Sequence, residues 1–483
     1  MTKLRWNDYL TINIYWVGIT TAAQTNALII PLLIQRFVGP QEQGAAYGNL
    51  RLVTLMVAVL VQALFGMLSD HSTARWGRRR PYILAGTLAN IVCLALIGGA
   101  TSYAFLFAAA FASQAVSNVA QAAEQGLIPD LVPEERRGRF SAVKALMELL
   151  PVVLIALSVG PLIAAGRMWA AIGVAMALLF VTMAATMLVH EQPLLETPAR
   201  FDWRPFGRLA AMTGVFTAVI LGLGAVVRGL GQLLVGVSSL PVLAILMGLA
   251  GLTAMGTAIV IGVWASVAIG IGHQEARRRS SFAWWVVNRL AFLVGTTNLG
   301  GFAIFFLQTR LGYPGEAAAG PVSRLMMVVG VLILATALPS GWLADRIGRK
   351  RLVMLSGLLA GLGSVIILLA PRLSVLYIGG SLIGLGTGMF FTTNWALGTD
   401  VVPKEQAGHF LGISNLAGAG AGAIGSYIGG PLADYLTRRA PQMAGAGYML
   451  IYAIYAGLFV VSALVLLRVR EGWGSRPAGG GVA

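Results

Sequence analysis

Charge is scarce in this sequence. Charged residues make up 11% of its 483 positions, against about 25% in a soluble domain. That shortage excludes a globule with a fully solvated surface. Cysteine is scarcer still: Cys93 alone, in the middle of an apolar run, excludes a disulfide framework and reads as a small apolar residue. The four histidines, His71, His190, His273 and His409, all fall in loops, and no His, Cys, Asp and Glu cluster has metal-ligand spacing. No phosphate-cradling glycine loop and no nucleophile–base arrangement stands out. An enzyme, a bound cofactor or metal, and an ATP-driven pump are therefore not expected. A cleavable leader is not expected either. The first apolar stretch is too long for one and keeps Gln24 and Asn26 inside it, so it reads as an ordinary first span.

What is abundant is apolar: hydrophobic residues reach 57% and mean hydropathy is +0.79. They fall in runs of about 20, enough to cross a bilayer core of about 30 Å as helices. Helix is the expected form because lipid offers no partner for backbone N–H and C=O groups. The runs predict fourteen spans, at 10–35, 44–68, 81–100, 103–128, 140–164, 167–189, 209–228, 240–271, 283–309, 321–342, 352–370, 373–398, 409–433 and 446–468. The net charge of +16 invites a nucleic-acid partner, but the basic residues sit in short loops between spans. Of the 34 Lys and Arg residues, 24 lie on the side of the N-terminus and eight on the other, with Arg51 and Arg289 inside spans. That bias places both termini in the cytoplasm of a multi-pass protein of the cytoplasmic (inner) membrane.

The chain also repeats itself. Asp130-Leu-Val-Pro133, Gly138 and Gly160-Pro161-Leu162 recur 270 positions later as Asp400-Val-Val-Pro403, Gly408 and Gly430-Pro431-Leu432. Gly66-x-x-x-Asp70 followed by Gly77-Arg78-Arg79-Arg80 recurs as Gly341-x-x-x-Asp345 followed by Gly348-Arg349-Lys350-Arg351. Thr25-Asn26 and Thr297-Asn298 keep nearly the same register. The repeat predicts two pseudo-symmetric six-helix bundles, residues 1–189 and 282–470. Between them, 190–281 holds polar linkers around an unrepeated helical pair at 209–271, read as lipid-facing packing. Residues 471–483 form a Gly-rich cytoplasmic tail, expected to be disordered. A duplicated membrane bundle commonly carries its substrate site between the halves.

The paired Gly-x-x-x-Asp…Gly-Arg loops are tight turns in which glycine allows close approach or positive φ. Their acids can face a helix N-terminus, and their arginines can pair with carboxylates or anchor at headgroups. Asp70, Gly77, Arg78, Asp345, Gly348 and Arg349 are thus the expected gating residues, with topology anchoring as the plainer alternative. These loops, with Asp130-x-x-Pro133 and Asp400-x-x-Pro403, resemble the loop 2–3 and loop 8–9 signatures of the major facilitator superfamily. The resemblance covers nearly the whole chain outside 209–271. The longer stretch Ser69–Ile83 is most similar to the glycoside–pentoside–hexuronide cation symporters, especially the sucrose–proton branch. That branch has twelve spans, whereas fourteen occur in drug–proton antiporters and peptide symporters. The peptide family's Glu-x-x-Glu-Arg signature is missing from span 1, and the antiporters' glycine-spaced span 5 motif is reduced to Gly160-Pro161.

Polar side chains within spans are costly, so each is a functional candidate. Glu124 on span 4 and Lys144 on span 5 lie at similar depth and can meet across a hairpin; Glu148, one turn beyond Lys144, lies near mid-membrane. The trio reads either as a proton-coupling site or as an ion pair that locks the two spans. Asn118, Gln121 and Glu124 share one helical face. Asn394 stands where the repeat would place a second Glu124, and Trp395 beside it offers an aromatic wall. Gln24, Asn26, Arg51, Asn288, Arg289, Asn298 and Asn415 complete the candidates. Trp284 and Trp285 read as an interfacial belt.

The resemblance implies a monomeric secondary transporter that moves a small organic solute, sugar- or glycoside-like, by alternating access with a proton or another cation. Proton-coupled export of an amphipathic compound is the alternative. A non-transporting membrane scaffold or pigment-complex assembly factor is the alternative from another class; such a scaffold would not need Glu124, Lys144 and Glu148 at depth.

Overall fold

The computed structural model describes residues 6–189, 191, 202–402 and 407–470. The expected tail, most of the first linker, His190, Pro403 and Lys404 lie outside them. The long helices, in chain order, are α1 (Tyr15–Val38), α2 (Gln43–Asp70), α3 (Arg80–Gly98), α4 (Tyr103–Leu131), α5 (Glu134–Leu154), α6 (Met168–Thr186) and α7 (Arg204–Leu233). They continue with α8 (Leu240–Ile271), α9 (Ser280–Arg310), α10 (Ala319–Ile347), α11 (Arg349–Leu368), α12 (Leu373–Val401), α13 (Ala407–Arg439) and α14 (Ala446–Val465). Among the described residues there is no strand, and thirteen helices are long and apolar enough to cross a membrane. Helix α13, at 33 residues, occupies the place of the remaining expected span.

Contacts group the chain into two compact units. One runs to Ala210 and takes in Gly300–Met327; the other is Ala211–Leu299 with Val328 onward. Within the first, α1 packs on α6 and α3 on α4 through glycines. A Cβ on Gly18 would strike Leu179 and Thr182, and one on Gly86 would strike Val116 and Ala120. The Tyr15 hydroxyl and Thr87 Oγ1 bond at 2.7 Å between α1 and α3. Helix α5 passes into a π-helical turn at Ile155–Val159 just before Pro161, the site of the expected Gly160-Pro161 pair. Proline removes a backbone donor there and loosens the helical ladder.

In the second unit α11 crosses α12 at Gly363 and Gly379, where a Cβ on either would meet the other's carbonyl. Small residues permit such backbone approach in lipid, where packing replaces the hydrophobic drive. Phe292 of α9 stacks on Phe390 of α12 with centroids 3.7 Å apart. The unrepeated pair α7–α8 belongs to this unit. Helix α8 packs on α13 and α14, Phe216 of α7 fills the space left by Gly262 and Gly420, and Arg228 donates to the Tyr427 hydroxyl at 2.9 Å. One face of the pair is therefore buried against protein, which its glycine-rich, polar-poor sequence did not distinguish from a lipid-facing surface.

Candidate functional site

The first unit encloses a cavity of about 280 Å³ lined from α1, α2, α3 and α4. Asn26, Asn118 and Gln121, all expected as site residues, line it together with Arg51 and Tyr47 of α2. The wall is pre-organised by side-chain bonds: Ser113 donates to Asn90 at 2.8 Å, and Asn26 reaches Ser113 at 3.5 Å. Asn118 donates to the Gln114 carbonyl one turn back at 2.8 Å. Asn90 went unnoticed in the sequence, although an amide within the apolar third span was the available signal. Gln24 is not part of this wall; it borders a smaller space of about 40 Å³ beside Val152, Ser323 and Met326.

Glu124 sits on α4 one turn beyond Gln121. It is buried, and among the described residues neither carboxyl oxygen has a hydrogen-bond partner. Lys144 of α5 is its electrostatic neighbour, but the ammonium pairs elsewhere. It lies 3.6 Å from Glu148 on its own helix and 4.0 Å from the centre of the Trp16 ring of α1. The hairpin therefore brings Glu124 and Lys144 near each other, as their depths predict, while the short ion pair is the local one at i,i+4. That spacing needs no tertiary fit to form. Glu148 is half-exposed, and none of the trio lines the cavity.

At the end of the first unit that carries loop 2–3, Asp130 collects two arginines. Arg78 donates from Nε at 3.0 Å and also pairs through its terminal nitrogen; Arg79 donates from Nε at 2.8 Å. Arg79 further reaches Ser69 at 2.6 Å and pairs with Asp70. It is the buried arginine of the two, seated where Gly126 leaves room for a guanidinium. Gly77 has φ +107° and Gly348 φ +94°, so both expected turn glycines occupy backbone that disfavours side chains. In the second unit Arg349 grips Asp400 at 2.7 and 2.8 Å, while Asp345 stands at 4.0 Å from it. The partner choice aligns Arg349 with Arg79, 270 residues earlier, rather than with Arg78. Arg79 is thus the gating candidate that the motif left unseparated from its neighbour.

Glu191, read as part of a linker, is a second addition. Its carboxyl oxygens accept the backbone N–H groups of Arg79 at 2.9 and 3.0 Å and of Arg80 at 3.2 Å, at the start of α3. Burial pushes this carboxyl above the ordinary glutamate value, and the backbone amides pull it back only in part.

In the second unit Asn394 is buried and donates to Asn288 at 2.7 Å, and Asn288 in turn donates to Ser462 at 2.8 Å. Arg289 lies 3.5 Å from the Asn394 side chain and 4.9 Å from the centre of the Trp395 ring, which is partly exposed. Trp285 is not an interfacial residue: it is wholly buried and donates to the Asn394 carbonyl at 3.0 Å. The buried indole nitrogen needs an acceptor, and α12 supplies one. Trp284 is the more accessible of the two, with Arg468 over its ring at 4.5 Å. Asn298 is buried and spends its amide on the Val294 and Ala421 carbonyls at 2.9 and 3.2 Å, an interhelical tie to α13. Asn415 is exposed on α13.

A polar cavity in the first unit, a buried carboxyl and matched charge latches thus lie on a duplicated helical membrane chain. The model of the Major Facilitator Superfamily matches residues 15–319 and 285–482, and the chain belongs to that family. The curated relatives include the multidrug resistance protein MdtG of Escherichia coli O1:K1 / APEC and that of strain K12 / DH10B. Each is 31% identical over 153 residues, which is 32% of this chain and 37% of the relative. The chain thus spans little more than a third of the length of these relatives. Among solved structures, the nucleoside transporter NupG superposes with TM-score 0.62 at 12% identity, covering 95% of this chain and 98% of that one. The peptide transporter POT in complex with sulfate gives 0.66 at 15% identity, covering 96% of each. The fold is that of the major facilitators, and the chain is a multi-pass membrane protein of that family.

Proposed function

We propose that this chain is a proton-coupled secondary transporter of a small, polar, hydrogen-bonding organic solute of the glycoside type, working by alternating access. The observation that carries this reading is the amide- and hydroxyl-rich cavity with Glu124 one helical turn away. Amides offer both donors and acceptors, which suits hydroxylated solutes. A buried carboxyl whose oxygens bond nothing is available to take up and release a proton, unlike one fixed in a structural pair. At about 280 Å³ the cavity falls just below the roughly 300–1,000 Å³ of drug-sized pockets. The similarity of Ser69–Ile83 to the glycoside–cation symporters supports the same direction, import.

Export of an amphipathic compound is the second reading, favoured by the similarity to a multidrug resistance protein. One experiment separates them. Purified protein in proteoliposomes is given an imposed pH gradient and offered neutral sugars and glycosides or the amphipathic cation ethidium. The proposal expects uphill accumulation of a sugar-type solute, lost in Glu124→Gln while exchange of the same solute survives. Gradient-driven movement of ethidium with no sugar response would overturn it in favour of export. Full accumulation by Glu124→Gln would remove that residue from coupling, and the same test then passes to Glu148.

A further inference from the structure

We infer that the solute held in the first-unit cavity is an organic anion, a polar body carrying a carboxylate or phosphate that Arg51 receives. The inference rests on the polar-solute reading above and deepens it.

Arg51 lies eight residues into α2, about 12 Å along the helix at 1.5 Å per residue, and it lines the cavity rather than the bundle surface. A guanidinium at that depth is among the more expensive residues a membrane helix can carry, and such residues mark solute paths. The packing around it is specific. Tyr47, one turn earlier, also lines the cavity and lies beneath the guanidinium, 5.9 Å from its carbon to the ring centre. Tyr47 is itself wedged by Phe302 and Phe305, with ring centroids at 5.5 and 5.9 Å, and by Gly301, where any Cβ would strike its ring and hydroxyl. The arginine is thus held over an immobilised aromatic base.

The rest of the wall decides the sign of the ligand. The described lining residues include one guanidinium and no carboxylate. Asn26, Asn118 and Gln121 supply neutral donors and acceptors for the body of a solute. The carboxyl on the same helix as the last two, Glu124, lies beyond the cavity. A neutral sugar would use the amides and draw nothing from the positive charge of the guanidinium. A carboxylate or phosphate would meet a planar fork of donors, the geometry Arg provides and Lys does not.

The test uses three sugars that differ at one carbon: glucose, glucuronate and glucose-6-phosphate. Their binding to the full-length purified protein is measured by thermal shift and equilibrium titration, on wild type, Arg51→Gln and Arg51→Lys. One or both acidic sugars should bind at least about tenfold tighter than glucose, as one charge-assisted hydrogen bond contributes. Preference for glucuronate assigns the carboxylate and preference for the sugar phosphate assigns the phosphate. Arg51→Gln should remove that preference, bringing the acidic sugars to within about twofold of glucose on the same variant, and Arg51→Lys should recover only part of it. Where Arg51→Gln does not fold, the wild-type comparison decides alone. Equal binding of the three by wild type overturns this inference and leaves the polar-solute reading standing. Response to none of them, nor to any sugar or glycoside in the uptake assay, overturns both. An acid preference that survives Arg51→Gln also overturns the assignment to Arg51.

Discussion

The two halves carry the same arginine–aspartate latch, yet their burial predicts unequal energies. In the first unit Arg79 and Asp130 have side chains only 5% and 14% exposed. In the second, Arg349 and Asp400 are 36% and 41% exposed. Removing one partner of a buried pair costs about 3–5 kcal/mol because a charge is left desolvated, whereas an exposed pair is worth about 0.2–1 kcal/mol. Asp130→Ala strands Arg79, but Ser69 and Asp70 still reach it. The expected loss is therefore near the lower bound, about 3 kcal/mol. Asp400→Ala should lose less than about 1 kcal/mol, since water reaches both groups. At roughly 2–4 °C per kcal/mol for a unit of this size, the thermal midpoints should fall by about 6–12 °C and by less than about 4 °C. Both variants are measured at one scan rate in the same detergent, with Arg79→Ala and the double variant closing a cycle. Equal shifts, or a larger one for Asp400→Ala, would refute the claim that burial rather than motif identity sets the strength of the latch.

Three further outcomes follow from the same geometry. Gly77→Ala should destabilise more than Gly348→Ala: both require positive φ, but only at Gly77 would the new methyl also strike Glu191, so thermal midpoints that rank the other way would contradict this. The raised Glu191 carboxyl means the folded protein holds this proton more tightly than the unfolded chain. The stability linked to it is complete below the ordinary value of 4.5 and is lost as pH rises through the folded-state value. Wild type measured against Glu191→Gln should accordingly lose ground as pH rises through that window, and a pH-independent difference would count against the burial. Asn298→Ala should lower stability by about 0.5–1.5 kcal/mol, since it removes the side-chain hydrogen bond from α9 to the Ala421 carbonyl of α13, with solute affinity unchanged; a selective loss of affinity would return it to the site.

Much of this architecture was legible because lipid leaves so few alternatives. A run of about 20 apolar residues must become a helix that satisfies its own backbone, so the span order followed from hydropathy alone. The 270-residue register paired Asp130 with Asp400 and Gly77 with Gly348 before any coordinates. Asn26, Asn118 and Gln121 were legible as candidates for the same reason: each is an amide that an apolar helix has no need to carry, and the three line one cavity.

Partner choice was not legible, because it depends on side-chain reach across helices. Sequence could place Lys144 near both Glu124 and Glu148; packing against Trp16 and the i,i+4 spacing decided for Glu148. Arg78 and Arg79 are adjacent in sequence, and only the gap at Gly126 made Arg79 the buried one. Adjacent tryptophans looked like one belt until the Asn394 carbonyl drew Trp285 inside. The unrepeated pair was apolar all round in sequence, and only the glycines facing Phe216 and Tyr427 showed which side meets protein. Composition and periodicity determine which segments enter the membrane and where the halves repeat, since those depend on transfer from water to lipid. Which polar group satisfies which other depends on distances of a few ångströms between segments far apart in the chain, and tertiary structure alone decides it.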